Sequence, residues 1–109
     1  MTRDEILNMP AGIEMDMLIA TKVFNRKPHP NKNKILGQVG RYVSPRHYSI
    51  AIMAAWEIVE KMIDGETPND FELRTSMRGW RCDFYKGYSN SETAPLAICR
   101  AALLAMVIT

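Results

Sequence analysis

The chain has 109 residues, 47% of them hydrophobic and 24% charged, with a formal net charge of +2. That describes one globular domain, 1–109, with a modest core, and it excludes a disordered tail and a strongly basic polyanion binder. Two cysteines, Cys82 and Cys99, stand in apolar surroundings and predict buried reduced thiols rather than a disulfide or a metal pair.

The N-terminus carries Arg3, Asp4 and Glu5 with no apolar stretch, which argues against a secretory leader and predicts a cytoplasmic protein. Thr2 and Glu5 form a capping box for a short first helix with Ile6 and Leu7 facing inward, and Met9-Pro-Ala-Gly12 breaks it. Ile13 to about Phe24 then reads as a helix. Ile13, Met17, Ala20 and Phe24 recur at helical spacing, while Glu14, Asp16 and Lys22 are expected to face water. Asn25 and Pro28-His-Pro30 stop it, and residues 25–34 form a polar loop. Ile35 to Val43 has room for a short strand, interrupted by Gly37 and Gly40.

Ser44-Pro45 turns the chain, and Ser49 or Ser44 is expected to cap a helix over Ile50–Asp64, with Gly65 after its end. Ile52, Ala55, Trp56, Val59, Met62 and Ile63 make its apolar face, opposite Glu57, Glu60, Lys61 and Asp64. Phe71–Met77 and Trp80–Tyr85 both alternate. Phe71, Leu73, Met77, Trp80, Cys82 and Phe84 fall on one side and Glu72, Arg74, Arg81, Asp83 and Tyr85 on the other, so a hairpin turns at Arg78-Gly79. Gly87–Ser91 reads as a loop. Thr93 caps a last helix that is apolar on every side, with the stripe Leu96, Cys99, Leu103 and Met106 and small residues Ala97, Ala101, Ala102 and Ala105. Too short and alanine-rich for a membrane span, it is expected to be the buried axis of the domain, with its one charge, Arg100, paired to Asp16 or Asp83 or snorkelling.

The stretch Thr93-Ala-Pro-Leu-Ala-Ile-Cys-Arg-Ala-Ala-Leu103 resembles the C-terminal signature of the phage ABA-sandwich domain, a family of small proteins of Bacillus phages and prophages. Met1-Thr-Arg-Asp-Glu-Ile-Leu-Asn-Met-Pro-Ala-Gly12 with Met15-Asp16 is similar to the family's opening. Tyr48-Ser49, Ala54-Ala-Trp-Glu57 and Val59-Glu-Lys61 are similar to its middle. The resemblance implies an α+β fold in which helices sandwich a small antiparallel sheet, an α/β/α three-layer sandwich. The element order read from the residues is α-α-β-β-α, with an optional extra strand before the second helix. Charges along one side of the hairpin fit full two-sided burial poorly; that side is partly covered or lines a site.

Positive charge is uneven. After Asp16 the next acid is Glu57, and seven of the 14 Lys and Arg residues lie between them: Lys22, Arg26, Lys27, Lys32, Lys34, Arg41 and Arg46. No phosphate-cradling glycine loop, paired cysteines or hydrolase elbow is present, and His29 and His47 stand in loop settings. No catalytic residue, cofactor or metal is therefore expected. The densest binding signal is Arg41-Tyr-Val-Ser-Pro-Arg-His-Tyr-Ser49. Arg41 and Arg46 can fork phosphate, Tyr42 and Tyr48 can stack on a base, and His47 and Ser49 adjoin a helix N-terminus. A basic loop that merely leads into a helix uses the same residues. Arg74, Trp80, Arg81 and Tyr88 are second-rank candidates, with Trp80 also read as core, and Tyr88 and Asn90 are placed to close a pocket over the last helix's N-terminus.

With the phage resemblance, these features point to an anti-defence binding protein. It would sequester a small anionic nucleotide immune signal, a cyclic ADP-ribose derivative or cyclic oligonucleotide, without cleaving it, as a homo-oligomer in the bacterial cytoplasm. The alternatives are a nucleic-acid-binding or protein-inhibiting accessory protein, with a phosphodiesterase the least supported.

Overall fold

A computed structural model describes residues 1–64 and 70–107, with the backbone alone at Val107. The elements are α1 (Arg3–Asn8), α2 (Ile13–Leu18) running into a π-helical turn (Ile19–Val23), β1 (Ile35–Leu36), β2 (Tyr42–Val43), α3 (Ile52–Ile63), β3 (Phe71–Ser76), β4 (Gly79–Phe84), β5 (Gly87–Ser91) and α4 (Ala94–Val107). The fold is α+β and sandwich-like, with a two-stranded sheet β1-β2 and a three-stranded sheet β3-β4-β5, both antiparallel. Gly65, expected after α3, lies outside the described residues.

Helix α4 is the middle of the structure, as its all-round apolarity demands. It packs on β4 and β5 on one side and on α1, the π-helical turn and α3 on the other. Residues 94 to 105 are buried apart from Arg100, while Met106, expected in the stripe, is half exposed. Small residues set the approach. A Cβ on Gly87 of β5 would lie 2.5 Å from the Ala105 amide nitrogen and 2.7 Å from the Ala101 carbonyl oxygen, so helix and strand backbones are nearly in contact there. The expected loop over 87–91 is thus a strand. Its alternation is carried by Gly87, Ser89 and Ser91, which are buried although none is large or apolar. Strand propensity misses such a segment because the helix demands small residues, not β-formers.

The β3–β4 hairpin turns at Met77-Arg78, one residue earlier than expected, and Met77 is fully exposed. Cross-strand register puts Phe71, Leu73, Trp80, Cys82 and Phe84 on the face toward α4, and Glu72, Arg74, Arg81, Asp83, Tyr88 and Asn90 on the other. Cys82 and Cys99 are free and buried, as expected. Burial pushes the Cys82 thiol up to about 12, Asp83 adding to it, and raises Cys99 well above the ordinary thiol range.

The expected helix from Ile13 runs on past Leu18 as a π-helical turn to Val23, closed by Asn25 at φ 53° and by the Arg26 amide donating to the Ala20 carbonyl at 2.9 Å. Three expectations in the first half are corrected. Asp16 does not face water; it is 1% exposed. Its Oδ1 accepts from the Ser49 amide (2.8 Å) and the Ser49 hydroxyl (2.7 Å), while the Gly12 amide donates to Ser49 Oγ (2.9 Å). Ser49 is therefore not the cap of α3, whose N-cap is Ala51 with no side-chain bond. The buried face of α3 is Ala54, Ala55, Ile58, Val59 and Met62, rotated from the expected one, and Ile52, Trp56 and Ile63 are half exposed.

Gly87→Ala is expected to cost about 2–3 kcal/mol, because backbone atoms cannot yield to the added methyl, and a lower urea midpoint with unchanged m-value is the reading. Both thiols are expected to resist alkylation in the native protein at pH 8 and to react fully once it is unfolded, measured by mass shift.

Candidate functional site

A cleft of about 630 Å³ opens at the N-terminal end of α4. Its walls come from three places that the fold brings together. Asn8, Pro10 and Ala11 follow from the end of α1; Ser76 and Arg78 come from the β3–β4 hairpin. Asn90, Ser91 and Glu92 end β5 and lead into Thr93, Leu96 and Arg100 of α4. The sequence Thr93-Ala-Pro starts the helix here as expected: Thr93 Oγ1 accepts from the Leu96 amide at 3.3 Å, and Pro95 has no N–H to leave unpaired. The positive end of the α4 dipole therefore faces the cleft, although few amides are left to donate.

Arg100 organises this end. Its Nη1 donates to Ser91 Oγ at 3.1 Å and its Nη2 to the Met9 carbonyl at 2.8 Å, tying β5 to the α1–α2 connection. The expected partners Asp16 and Asp83 do not take part. Arg100 Nε is buried and has no hydrogen-bond partner among the described residues. Burial lowers the guanidinium pKa from its ordinary value, and Glu92 acts in the opposite direction. Arg78 supplies a second cation from the hairpin, and Asn8 and Asn90 bring side-chain amides that both donate and accept. Two guanidiniums, two amides and a helix dipole suit an anion that carries hydrogen-bonding edges. The lining contains no histidine or cysteine, and no cluster of metal-ligating residues occurs among the described residues.

The ten residues singled out from the sequence lie elsewhere; none of them lines this cleft. Tyr48 is 5% exposed and stacks on Phe24 with centroids 5.3 Å apart. Burial raises its phenol above the usual range, Glu57 adding to this and Arg46 opposing it. Arg46 pairs with Glu57 at 2.7 Å, His47 lies 3.9 Å from Asp16, and Ser49 is buried in the Asp16 tie. Arg41 is exposed, and Tyr42 meets His29 edge-on at 4.6 Å. These neighbours in sequence are thus divided among core, ion pair and loop. Arg74 pairs with Glu72 at 3.2 Å. Tyr88 lies between two guanidiniums on the sheet's open face, Arg81 at 4.4 Å and Arg3 at 5.3 Å from its ring centroid. Trp80 is half-buried against the core. Of the two residues placed over the α4 N-terminus, Asn90 lines the cleft and Tyr88 does not. The sequence signals for the rest were a lone charge on an apolar helix, Arg100, and an arginine in a hairpin turn, Arg78.

An α+β sandwich threaded by an apolar C-terminal helix, with a polar cleft at that helix's start, defines the class. The chain belongs to the phage ABA sandwich domain family, whose model matches residues 17–103. Its structure is similar to the 2.0 Å crystal structure of a phage protein from Bacillus cereus ATCC 14579, at 25% identity and a TM-score of 0.74, covering 90% of this chain and 94% of that one. No curated protein matches in sequence. No helix among the described residues is long and apolar enough to cross a membrane.

Because Tyr48 is a core residue, Tyr48→Ala is expected to cost about 3 kcal/mol or more, while Tyr48→Phe, which keeps the ring stack, stays within about 1 kcal/mol. Thermal unfolding of the two variants tests this.

Proposed function

We propose that this protein captures a small anionic nucleotide in the cleft at the start of α4 and holds it without turnover. The observation that carries the reading is the convergence of Arg78 and Arg100, from different elements, on one cavity of about 630 Å³ that the α4 dipole also faces. That volume lies within the range of small-molecule sites. The guanidiniums suit phosphate, and the amides of Asn8 and Asn90 suit the edges of a base. Capture rather than cleavage is favoured because the lining offers guanidinium and amide donors for a ground-state anion and no histidine or cysteine, while its one carboxylate, Glu92, is exposed to solvent. In a phage protein, such binding serves to withhold a nucleotide signal of bacterial immunity, a cyclic ADP-ribose derivative or cyclic oligonucleotide, from its receptor.

Calorimetry against AMP, ADP, cyclic ADP-ribose and cyclic dinucleotides tests this. Arg78→Gln, in an exposed turn, is expected to weaken the bound ligand by about tenfold or more with unchanged melting temperature. Heating the complex is expected to return intact ligand; recovery of a cleaved product overturns the sequestration reading. Absence of binding to the whole panel, together with steeply salt-dependent binding to an oligonucleotide, favours a nucleic-acid accessory role instead.

A further inference from the structure

Strand β3 is an edge strand: β4 pairs with one side, and among the described residues no strand pairs with the other. Natural edges are usually blunted by proline, a bulge, charged side chains, an inward-pointing charge, extreme shortness or a covering helix or loop. Six-residue β3 carries charge, but it has no proline, bulge or inward-pointing charge. Its register against β4 is unbroken from Phe71 to Ser76, and its two charges, Glu72 and Arg74, both lie on the sheet's open face. The adjoining surface of α3 is uncovered as well. Ile52, Met53 and Trp56 line a shallow apolar groove with Glu60, Met53 is 81% and Trp56 46% exposed, and Trp56 meets Phe71 edge-on at 5.7 Å. Edge and groove thus form one continuous surface.

We propose that β3 pairs antiparallel with β3 of a second copy about a two-fold axis through Leu73, joining two sheets into one of six strands and covering the α3 groove. Charge selects both the partner and the register. In a continuous antiparallel sheet, facing residues share a face, so a symmetric pairing can shift only in a way that keeps like faces together. Centred on Leu73, it sets Glu72 opposite the partner's Arg74 and Arg74 opposite the partner's Glu72. The neighbouring registers centre on Glu72 or on Arg74 and set like charges directly against each other, which is unfavourable. Within one chain the Glu72–Arg74 pair is exposed and contributes little, so both groups are available to share across the axis. The same axis brings the two Trp56–Phe71 corners to one interface, where exposed aromatic side chains anchor association.

Analytical ultracentrifugation of the wild type and of charge variants decides this. The wild type is expected to sediment as a dimer. Arg74→Glu, which faces Glu against Glu twice, is expected to weaken the dimer by about tenfold or more. The double exchange Glu72→Arg with Arg74→Glu is expected to restore it, and circular dichroism should match the wild type throughout. A wild type that stays monomeric at the highest soluble concentration overturns the proposal. So does an Arg74→Glu variant that dimerises as well as the wild type, or a folded double variant that remains monomeric.

Discussion

The near-contact between α4 and β5 is the constraint from which the rest of the structure follows. A helix can lie on a strand at that distance only where side chains on both are minimal, and here Gly87 meets the backbone at Ala101 and Ala105. Once α4 is seated there, its first turn must emerge beside the end of β5, because Ser91 and Ala94 are separated by only two residues. Arg100, two turns into the helix, is then close enough to reach Ser91 on one side and the Met9 carbonyl on the other. The cleft is what remains between these walls. Packing geometry and the proposed ligand chemistry therefore share one origin.

A second tie holds the opposite flank. Burying a carboxylate costs several kcal/mol unless it is hydrogen-bonded, and Asp16 Oδ1 accepts from both the amide and the hydroxyl of one residue, Ser49, thirty-three positions away. Ser49 in turn accepts from Gly12 at the start of α2. This pin fixes the segment before α3 against α2. It also explains why the basic stretch ahead of α3 is not gathered on one surface: Ser49 and Tyr48 are pulled inward, and Arg46 folds onto Glu57 of α3.

Much of the fold was legible in the sequence, since capping boxes, alternation and an all-apolar helix are local signals. The capping box at Thr2, the β3–β4 hairpin, the buried thiols and the central position of α4 all follow from residue patterns of that kind. Strand β5 was not legible, because its buried positions are Gly and Ser chosen for closeness rather than hydrophobicity. The phase of α3 departs from its apolar pattern because Trp56 and Ile52, core-like by type, lie on an open groove. The candidate cleft was least legible. Arg78, Arg100 and Asn8 are scattered along the chain and converge only through the seating of α4, whereas the dense cluster from Arg41 to Ser49 is contiguous in sequence but divided in space.

One wall of the cleft comes from Asn8, Pro10 and Ala11, ahead of the 17–103 stretch matched by the family model, while the floor and the opposite wall lie within it. Arg100 bridges the two through the carbonyl of Met9, a group that every amino acid provides. The identity of the residues around position 9 can therefore change without disturbing the tie that holds them. What the tie does require is the guanidinium itself, so a single side chain on α4 governs how β5 and the start of the chain are held together.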